Sequence, residues 1–245
     1  MSKIKTKSTL SIGLLSLSKY QLSIIVAIML LATSCGDTAP KQQSNANGAE
    51  EQQTTITVKK ITETDLPTEI GYQDDFVEGY RYTDKTGDNI VFITEGEVTE
   101  WGRDEDGYIL SNKDLRAYRF LKTDNEWEEV WRVYDMEFEC FHYPVAEFVK
   151  GAFIITDLNN DGIAEIWMMY IKSCLGGVDP ANMYLRMYNN ESIFGMTGET
   201  KVIFSDDYSV GGDYEIENLS QHKTPPEFVE YAKELWEKHI TGNYQ

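Results

Sequence analysis

The chain has 245 residues, of which 41% are apolar and 12% aromatic, which is enough for one substantial core. Its net charge of −19 argues against nucleic-acid binding and against a peripheral electrostatic hold on membranes, because phosphate groups would be repelled. The acids are spread through the chain, a pattern typical of a solvated surface, with a dedicated cation-binding surface as the alternative.

Residues 1–34 have the features of a secretory signal. They hold four lysines and no acid, and the apolar run 22–32 (LSIIVAIMLLA) would span about 16 Å as a helix, too short to cross a bilayer. Small residues follow this run, as at a cleavage site. Removing the segment leaves 18 basic against 41 acidic side chains, a net charge of −23.

Residues 31–35 (LATSC) resemble the lipobox of bacterial lipoproteins. The resemblance implies cleavage before Cys35 and lipid attachment to it, with several acyl chains holding the protein to a membrane at about 0.8 kcal/mol per buried methylene. The alternative is an ordinary cleaved signal beside an unrelated cysteine. Gly36, where an Asp would retain such proteins, leaves outer-membrane delivery open, so an extracytoplasmic, lipid-anchored, outer-membrane protein is predicted.

Residues 35–59 are predicted to form a flexible, polar and acidic tether, because the stretch from Gly36 to about Thr57 has no aromatic residue and cannot repay the entropy of ordering. Residues 60–245 are then one globular, β-rich domain.

Strand and turn signals recur along this domain. Strands 79–83 and 89–94 form one predicted hairpin, and 115–121 and 130–140 form a second. In the last strand the residues alternate, which predicts one core face and one solvent face: Tyr134, Met136, Phe138 and Cys140 against Asp135, Glu137 and Glu139.

Two almost wholly apolar segments, 152–156 and 166–171, are typical of strands buried on both faces, and 184–188 and 192–198 form a further hairpin. One helix is predicted near the end, with Thr224 as N-cap, Pro225 at N1 and Glu227 at N3. Its apolar face is expected to pack on the sheet. The predicted fold is therefore α+β with β dominant, an antiparallel β-sheet or sandwich carrying a C-terminal amphipathic helix.

The motif Asp157-Leu158-Asn159-Asn160-Asp161-Gly162-Ile163-Ala164-Glu165 is the sharpest local signal. It places oxygen side chains at positions 1, 3, 5 and 9 around a glycine, an arrangement that suits calcium. Position 12 is Met168, so the motif is not an EF-hand; it resembles calcium-binding turns between β-strands. The predicted ligands are the side chains of Asp157, Asn159, Asp161 and Glu165 and the Ile163 carbonyl. The alternative is a tight turn closed by its own hydrogen bonds.

Cys140 and Cys174 are the thiols left once Cys35 is lipidated, and an oxidising compartment favours a disulfide between them, with buried free thiols or a redox role as alternatives. The three histidines are scattered, which does not indicate a zinc site. No nucleophile elbow, phosphate loop or nucleotide fingerprint occurs, and we predict no catalytic residues.

The order of GYRYTDKTGDNIVFIT, LRAYRF, WRVYDMEFEC, FIITDLNNDGIAEIWMMYIKSC, VDP, YLRMY and PPEFVEYAKELW resembles a family of small exported lipoproteins known as surface polysaccharide biosynthesis proteins. The resemblance covers roughly residues 75–240 and is most specific over 157–180. It implies a part in making or displaying lipopolysaccharide or capsule, but no reaction.

Three tryptophans could contribute to sugar handling, because aromatic faces stack on pyranose rings: Trp127, Trp131 and Trp167. Alternatively they belong to the core. The favoured function is a non-enzymatic accessory or binding lipoprotein for surface polysaccharide, with a glycan or envelope assembly proteins as partners. The alternatives are an envelope glycan hydrolase or transferase, or a structural scaffold for envelope proteins.

Overall fold

The computed structural model describes residues 56–190, 192–219 and 224–241, apart from the side chains of residues 175 and 218. The chain divides into two units, Met1–Ala49 and Glu50–Gln245, and all the described residues belong to the second. The predicted signal segment 1–34, the lipidation site Cys35 and most of the predicted tether 35–59 lie outside the described residues.

Six antiparallel strands form the N-terminal sheet: β1 Thr57–Ile61, β2 Asp75–Asp84, β3 Gly87–Glu95, β4 Thr99–Arg103, β5 Ile109–Thr123 and β6 Glu126–Cys140. The strand order is β1-β2-β3-β5-β4, and β6 pairs with the other side of β5. Both hairpins predicted in this region, β2–β3 and β5–β6, are confirmed. Strand β1 begins inside the stretch 35–59, because it pairs with β2 along its whole length.

The C-terminal sheet has the order β14-β11-β10-β9-β7, and β8 pairs with β9 next to β7. Its strands are β7 Tyr143–Phe148, β8 Ile154–Thr156, β9 Glu165–Leu175, β10 Asn182–Tyr188, β11 Ile193–Glu199 and β14 Tyr214–Asn218. Strands β12 Lys201–Ser205 and β13 Tyr208–Gly211 form a separate hairpin. The β10–β11 hairpin predicted from the sequence is confirmed.

Helix α1, Pro226–His239, packs its apolar face on the C-terminal sheet, as predicted. Its N-cap is Pro225 rather than Thr224, and no side chain caps the helix. The reason is the second proline: a residue that precedes a proline is held out of the helical region, so Pro225 stays extended at ψ 140° and the helix begins one residue later. Among the described residues, no helix has the length and apolar character needed to cross a membrane.

The layers form a sandwich with three apolar contacts. Helix α1 packs on the outer face of the C-terminal sheet, the two sheets pack on each other, and a segment that includes Ile70 and Tyr72 packs on the outer face of the N-terminal sheet. Strand β9 is central: Trp167 and Met169 contact the helix layer, whereas Ile166 and Met168 contact the N-terminal sheet. This confirms the prediction that 166–171 is buried on both faces.

The predicted orientation of β6 is wrong for Tyr134 and Phe138, whereas Cys140 at the end of the strand is buried as predicted. Tyr134 and Phe138 are exposed, at 51% and 44%, whereas Trp131 and Val133 pack between the sheets. Asp135 shares their side of the strand, where its carboxylate accepts hydrogen bonds from Tyr170 Oη at 2.9 Å and Lys172 Nζ at 2.7 Å. The charged residue thus faces the second sheet because partners there replace its water.

The disulfide between Cys140 and Cys174 is present, as predicted. Cys140 ends β6 and Cys174 lies near the end of β9, so the bond joins the two sheets covalently.

Candidate functional site: the acidic turn and the inter-sheet cleft

Residues 157–165, which we call the acidic turn, connect β8 to β9. The turn is built by short-range hydrogen bonds from backbone amides to side chains: Gly162 N to Asp157 at 3.2 Å, Asp161 N to Asn159 at 3.2 Å, and Ile163 N to Asp161 at 2.7 Å. Gly162 has a φ of +79°, which favours glycine. The structure thus brings the predicted residues together in one turn.

Glu165 is the most constrained member of the acidic turn, with 0% of its surface exposed. Its Oε2 accepts hydrogen bonds from Thr156 Oγ1 at 2.7 Å and Leu158 N at 2.9 Å, whereas Oε1 has no hydrogen-bond partner among the described atoms. Burial raises the pKa of Glu165, and the nearby charges of Asp157 and Asp161 raise it further, against the two hydrogen bonds. A cation close to Oε1 would offset the free-energy cost of burying the Glu165 charge and the repulsion from Asp157 and Asp161.

The ligand set predicted for calcium is not fully assembled. In the described part of the chain, no three Asp, Glu, His or Cys side chains converge closely enough to hold a metal ion. Asp157 and Asp161 are occupied by backbone amides, as in the alternative of a self-closed turn, and Asn159 Nδ2 donates to Asp161 at 2.8 Å. Calcium binding therefore stays a prediction, in which these carboxylates would have to exchange amide donors for a cation.

The β2–β3 turn supports the acidic turn from the other sheet. The Lys85 amide donates to the Gly162 carbonyl at 2.8 Å, and the Lys85 ammonium donates to the Asp161 carbonyl. The carboxylate of Asp84 accepts a hydrogen bond from Ala164 N at 3.0 Å. The acidic turn is thus fixed to the N-terminal sheet by backbone as well as side-chain contacts.

A cleft of about 600 Å³ lies between β6 and the turn that joins β10 to β11. We call it the inter-sheet cleft. Its lining contains two arginines, three aromatic residues, three small polar residues and no acid: Arg119, Val130, Trp131, Arg132, Val133, Tyr134, Tyr188, Asn189, Asn190, Ser192 and Ile193. Strand β6 pairs only with β5 among the described residues, so the cleft runs along the unpaired side of this strand.

The aromatic wall of the cleft is formed by Trp131 and Tyr188, whose ring centroids are 5.0 Å apart at an interplanar angle of 32°. Trp131 Nε1 is buried and has no acceptor among the described atoms. Burial raises the pKa of Tyr188, so its hydroxyl stays neutral at physiological pH. The wall therefore offers an apolar ring surface together with the neutral hydroxyl of Tyr188, a combination that suits a sugar ring.

Arg119 closes the cleft and is only 2% exposed. Its guanidinium donates to three neutral oxygens: Asn89 Oδ1 at 3.1 Å, Thr86 Oγ1 at 3.1 Å and Asn190 Oδ1 at 3.3 Å. In the described part of the chain no carboxylate forms an ion pair with Arg119.

Asp84 connects this guanidinium to the acidic turn. Its Oδ1 accepts hydrogen bonds from Thr86 Oγ1 at 2.5 Å and from Asn89 Nδ2 at 3.3 Å, while its Oδ2 holds the Ala164 amide. A continuous hydrogen-bond network thus runs from the acidic turn to the cleft. Through Thr86, which bonds both side chains, the negative charge of Asp84 partly offsets the positive charge of Arg119.

The three tryptophans considered for sugar handling have different places. Trp167 is a core residue with 0% exposure, and Trp127 packs at the outer face of the N-terminal sheet below the Arg81 guanidinium. Trp131 alone of the three lines the cleft. The sequence analysis did not predict Arg119 or Asn190 as site residues. For Arg119 a signal exists: it is a charged residue inside the apolar strand LRAYRFL, between Tyr118 and Phe120, which are both buried.

A smaller depression of about 240 Å³ carries four carboxylates, those of Asp74, Asp75, Glu97 and Asp114. The guanidinium of Arg116 forms ion pairs with Asp74 and with Asp114. Burial raises the pKa of Asp114. Two of the four carboxylates, those of Asp74 and Asp114, are therefore held in ion pairs, an arrangement that does not favour their use as a general acid and a general base.

Comparison with protein-family models, with curated proteins and with solved structures found no match to this chain. The resemblance to the exported lipoprotein family therefore stays a prediction from the sequence.

Proposed function

We propose that this chain is a lipid-anchored, extracytoplasmic binding factor without catalytic activity, which holds surface polysaccharide during its synthesis or display. The inter-sheet cleft carries this proposal. It combines an aromatic wall of Trp131 and Tyr188 with the amide groups of Asn189 and Asn190. Aromatic faces bury the apolar face of a pyranose, and amide and guanidinium groups form hydrogen bonds with its hydroxyl groups. The cleft therefore has contacts for both the apolar face and the hydroxyl groups of a sugar.

The chemistry of the cleft favours binding over hydrolysis. A glycosidase needs two carboxyl groups that flank the scissile bond, about 5–9.5 Å apart. The cleft lining has no Asp or Glu among its described residues, and the depression that does carry acids has Asp74 and Asp114 paired with Arg116. This distribution supports a non-enzymatic role, with the acidic turn serving as a structural calcium site.

A binding experiment on the full chain in detergent tests the proposal. Immobilised neutral and acidic bacterial polysaccharides should retain the wild-type protein, and Trp131→Ala should weaken retention at least about tenfold, since loss of a central aromatic commonly costs 2 kcal/mol or more. Trp127→Ala is the matched control, because Trp127 lies on the same strand outside the cleft. It should bind as the wild type does.

Two results would contradict the proposed function. Failure of every polysaccharide in the panel to retain the wild-type chain would remove the binding role. Release of new reducing ends from a bound polysaccharide during incubation would replace it with a hydrolase.

A further inference from the structure

The residues that line the inter-sheet cleft differ in charge from the rest of the chain. The whole sequence has 41 acidic against 22 basic side chains, yet the cleft lining has two arginines and no acid. An anionic ligand in the cleft would therefore meet guanidinium groups and no lining carboxylate, an arrangement that favours anions over cations.

The two arginines are not equivalent. Arg132 is 44% exposed and already pairs with Glu129 at 2.7 Å, so its charge is locally neutralised. Arg119 is buried and donates only to neutral oxygens, of which Asn190 Oδ1 is the most distant at 3.3 Å. Asn190 is an exposed residue of the β10–β11 turn. Its bond to Arg119 is therefore the one that a ligand could replace.

The cleft chemistry also restricts the kind of anion. Guanidinium groups bind carboxylates in a planar, two-point geometry in which both partners are charged, whereas Asn190 offers Arg119 a single neutral acceptor. The wall of Trp131 and Tyr188 adds an aromatic surface on which a sugar ring beside that anion can stack.

We propose that the inter-sheet cleft selects sugars that carry a carboxylate, with Arg119 as the residue that recognises the carboxylate and Trp131 as the platform for the ring. This inference rests on the proposed function, because it specifies the class of glycan held at the same cleft. Asn190 occupies the carboxylate position when the cleft is empty and releases Arg119 when the ligand enters.

A matched pair of probes tests the selectivity: an oligogalacturonate and the same oligosaccharide with its carboxyl groups methyl-esterified. Isothermal titration of the full chain should give a Kd for the acid at least about tenfold below that for the ester, since a charge-assisted bond contributes about 1.5–3 kcal/mol. Trp131→Ala should weaken both probes to a similar extent, which leaves their ratio unchanged.

The decisive variant is Asn190→Asp, which places a carboxylate beside Arg119 on an exposed turn and so should not disturb folding. It should weaken the acid at least about tenfold and leave the ester unchanged. Asn125→Asp, the same change in the exposed β5–β6 turn outside the cleft lining, is the control for added charge and should leave both Kd values unchanged. Arg119→Lys, with folding checked by circular dichroism, should bring the two Kd values close together.

The outcomes separate the two proposals. Equal or tighter binding of the ester by the wild type would overturn the carboxylate selectivity while the saccharide-binding function survives. An unchanged acid-to-ester ratio in Asn190→Asp would overturn the role of Arg119. Failure of both probes, together with failure of the polysaccharide panel, would remove the proposed function itself.

Discussion

Replacing Glu165 with glutamine tests whether the acidic turn holds calcium. The glutamine keeps the shape and an acceptor for the Leu158 amide but removes a charge that is fully buried. Without calcium we expect Glu165→Gln to unfold at the wild-type temperature or above it at pH 7, because the wild type must bury a carboxylate whose Oε1 lacks a hydrogen-bond partner among the described atoms.

The magnitude of the calcium effect follows from linkage. A ligand present at 100 times its Kd stabilises the native state by about 2.7 kcal/mol, which for a domain of this size raises Tm by on the order of 5–10 °C. Wild type should gain this increase and Glu165→Gln should gain little of it. If calcium binds through the predicted ligands, Asp161→Ala should abolish the response as well.

The pH dependence in chelator has a defined sign. The folded protein raises the pKa of Glu165 above its ordinary value of 4.5, so the protonated form is favoured by folding. The contribution of this group to stability is therefore greatest below pH 4.5 and decreases as the pH rises through the folded pKa. The glutamine variant should lack this decrease.

Thermal unfolding of the full chain, followed by circular dichroism in calcium and in chelator, measures both effects. The exposed Glu105→Gln is the control for loss of a charge and should respond to calcium as wild type does. If the wild-type Tm were the same in calcium and chelator, the acidic turn would be closed by its own hydrogen bonds alone. If Glu165→Gln kept the full increase, calcium would bind without Glu165 and the predicted ligand set would be wrong.

Two further predictions concern covalent features. Replacing Cys140 and Cys174 by alanine should lower Tm by about 8–15 °C, because opening a loop across a sequence separation of 34 costs about 4 kcal/mol in the chain-entropy model; an unchanged Tm in the variant would show that the bond adds no stability. If Cys35 carries the lipid, as the lipobox resemblance predicts, Cys35→Ser should move the protein from the detergent phase to the aqueous phase in a partition assay. Retention in the detergent phase would disprove anchoring through Cys35.

The sequence pattern predicted a structural element correctly where the hydrophobic run and its flanking turn residues alone determine that element. The run 166–171 was recognisable as a strand buried on both faces, and the turns at 84–88 and 122–125 correctly separated paired strands. The prediction for the middle of β6 is wrong because alternation shows which residues share a face of the strand but not which of the two faces is buried. The inward position of Asp135 depends on Tyr170 and Lys172, which lie more than thirty residues away along the chain.

The two parts of the candidate site differ in the same way. The acidic turn is a contiguous motif, so its residues and the alternative of closure by its own hydrogen bonds could both be named from the sequence. The cleft combines β5, β6 and the β10–β11 turn, and the bond from Arg119 to Asn190 spans 71 residues. A contact at that separation follows from how the two sheets pack, which spacing and periodicity do not determine.

The position of α1 along the chain has a consequence for biogenesis. Trp167 and Phe194, in the middle of the C-terminal sheet, depend on Phe228 and Trp236 of the helix for their shielding from water. Because α1 follows the fourteen strands of the described residues along the chain, this core cannot close before the ribosome has produced the helix. The C-terminal sheet of the nascent chain therefore exposes apolar side chains until the helix is available, whereas the apolar contacts of the N-terminal sheet with Ile70 and its neighbours involve no residue of α1.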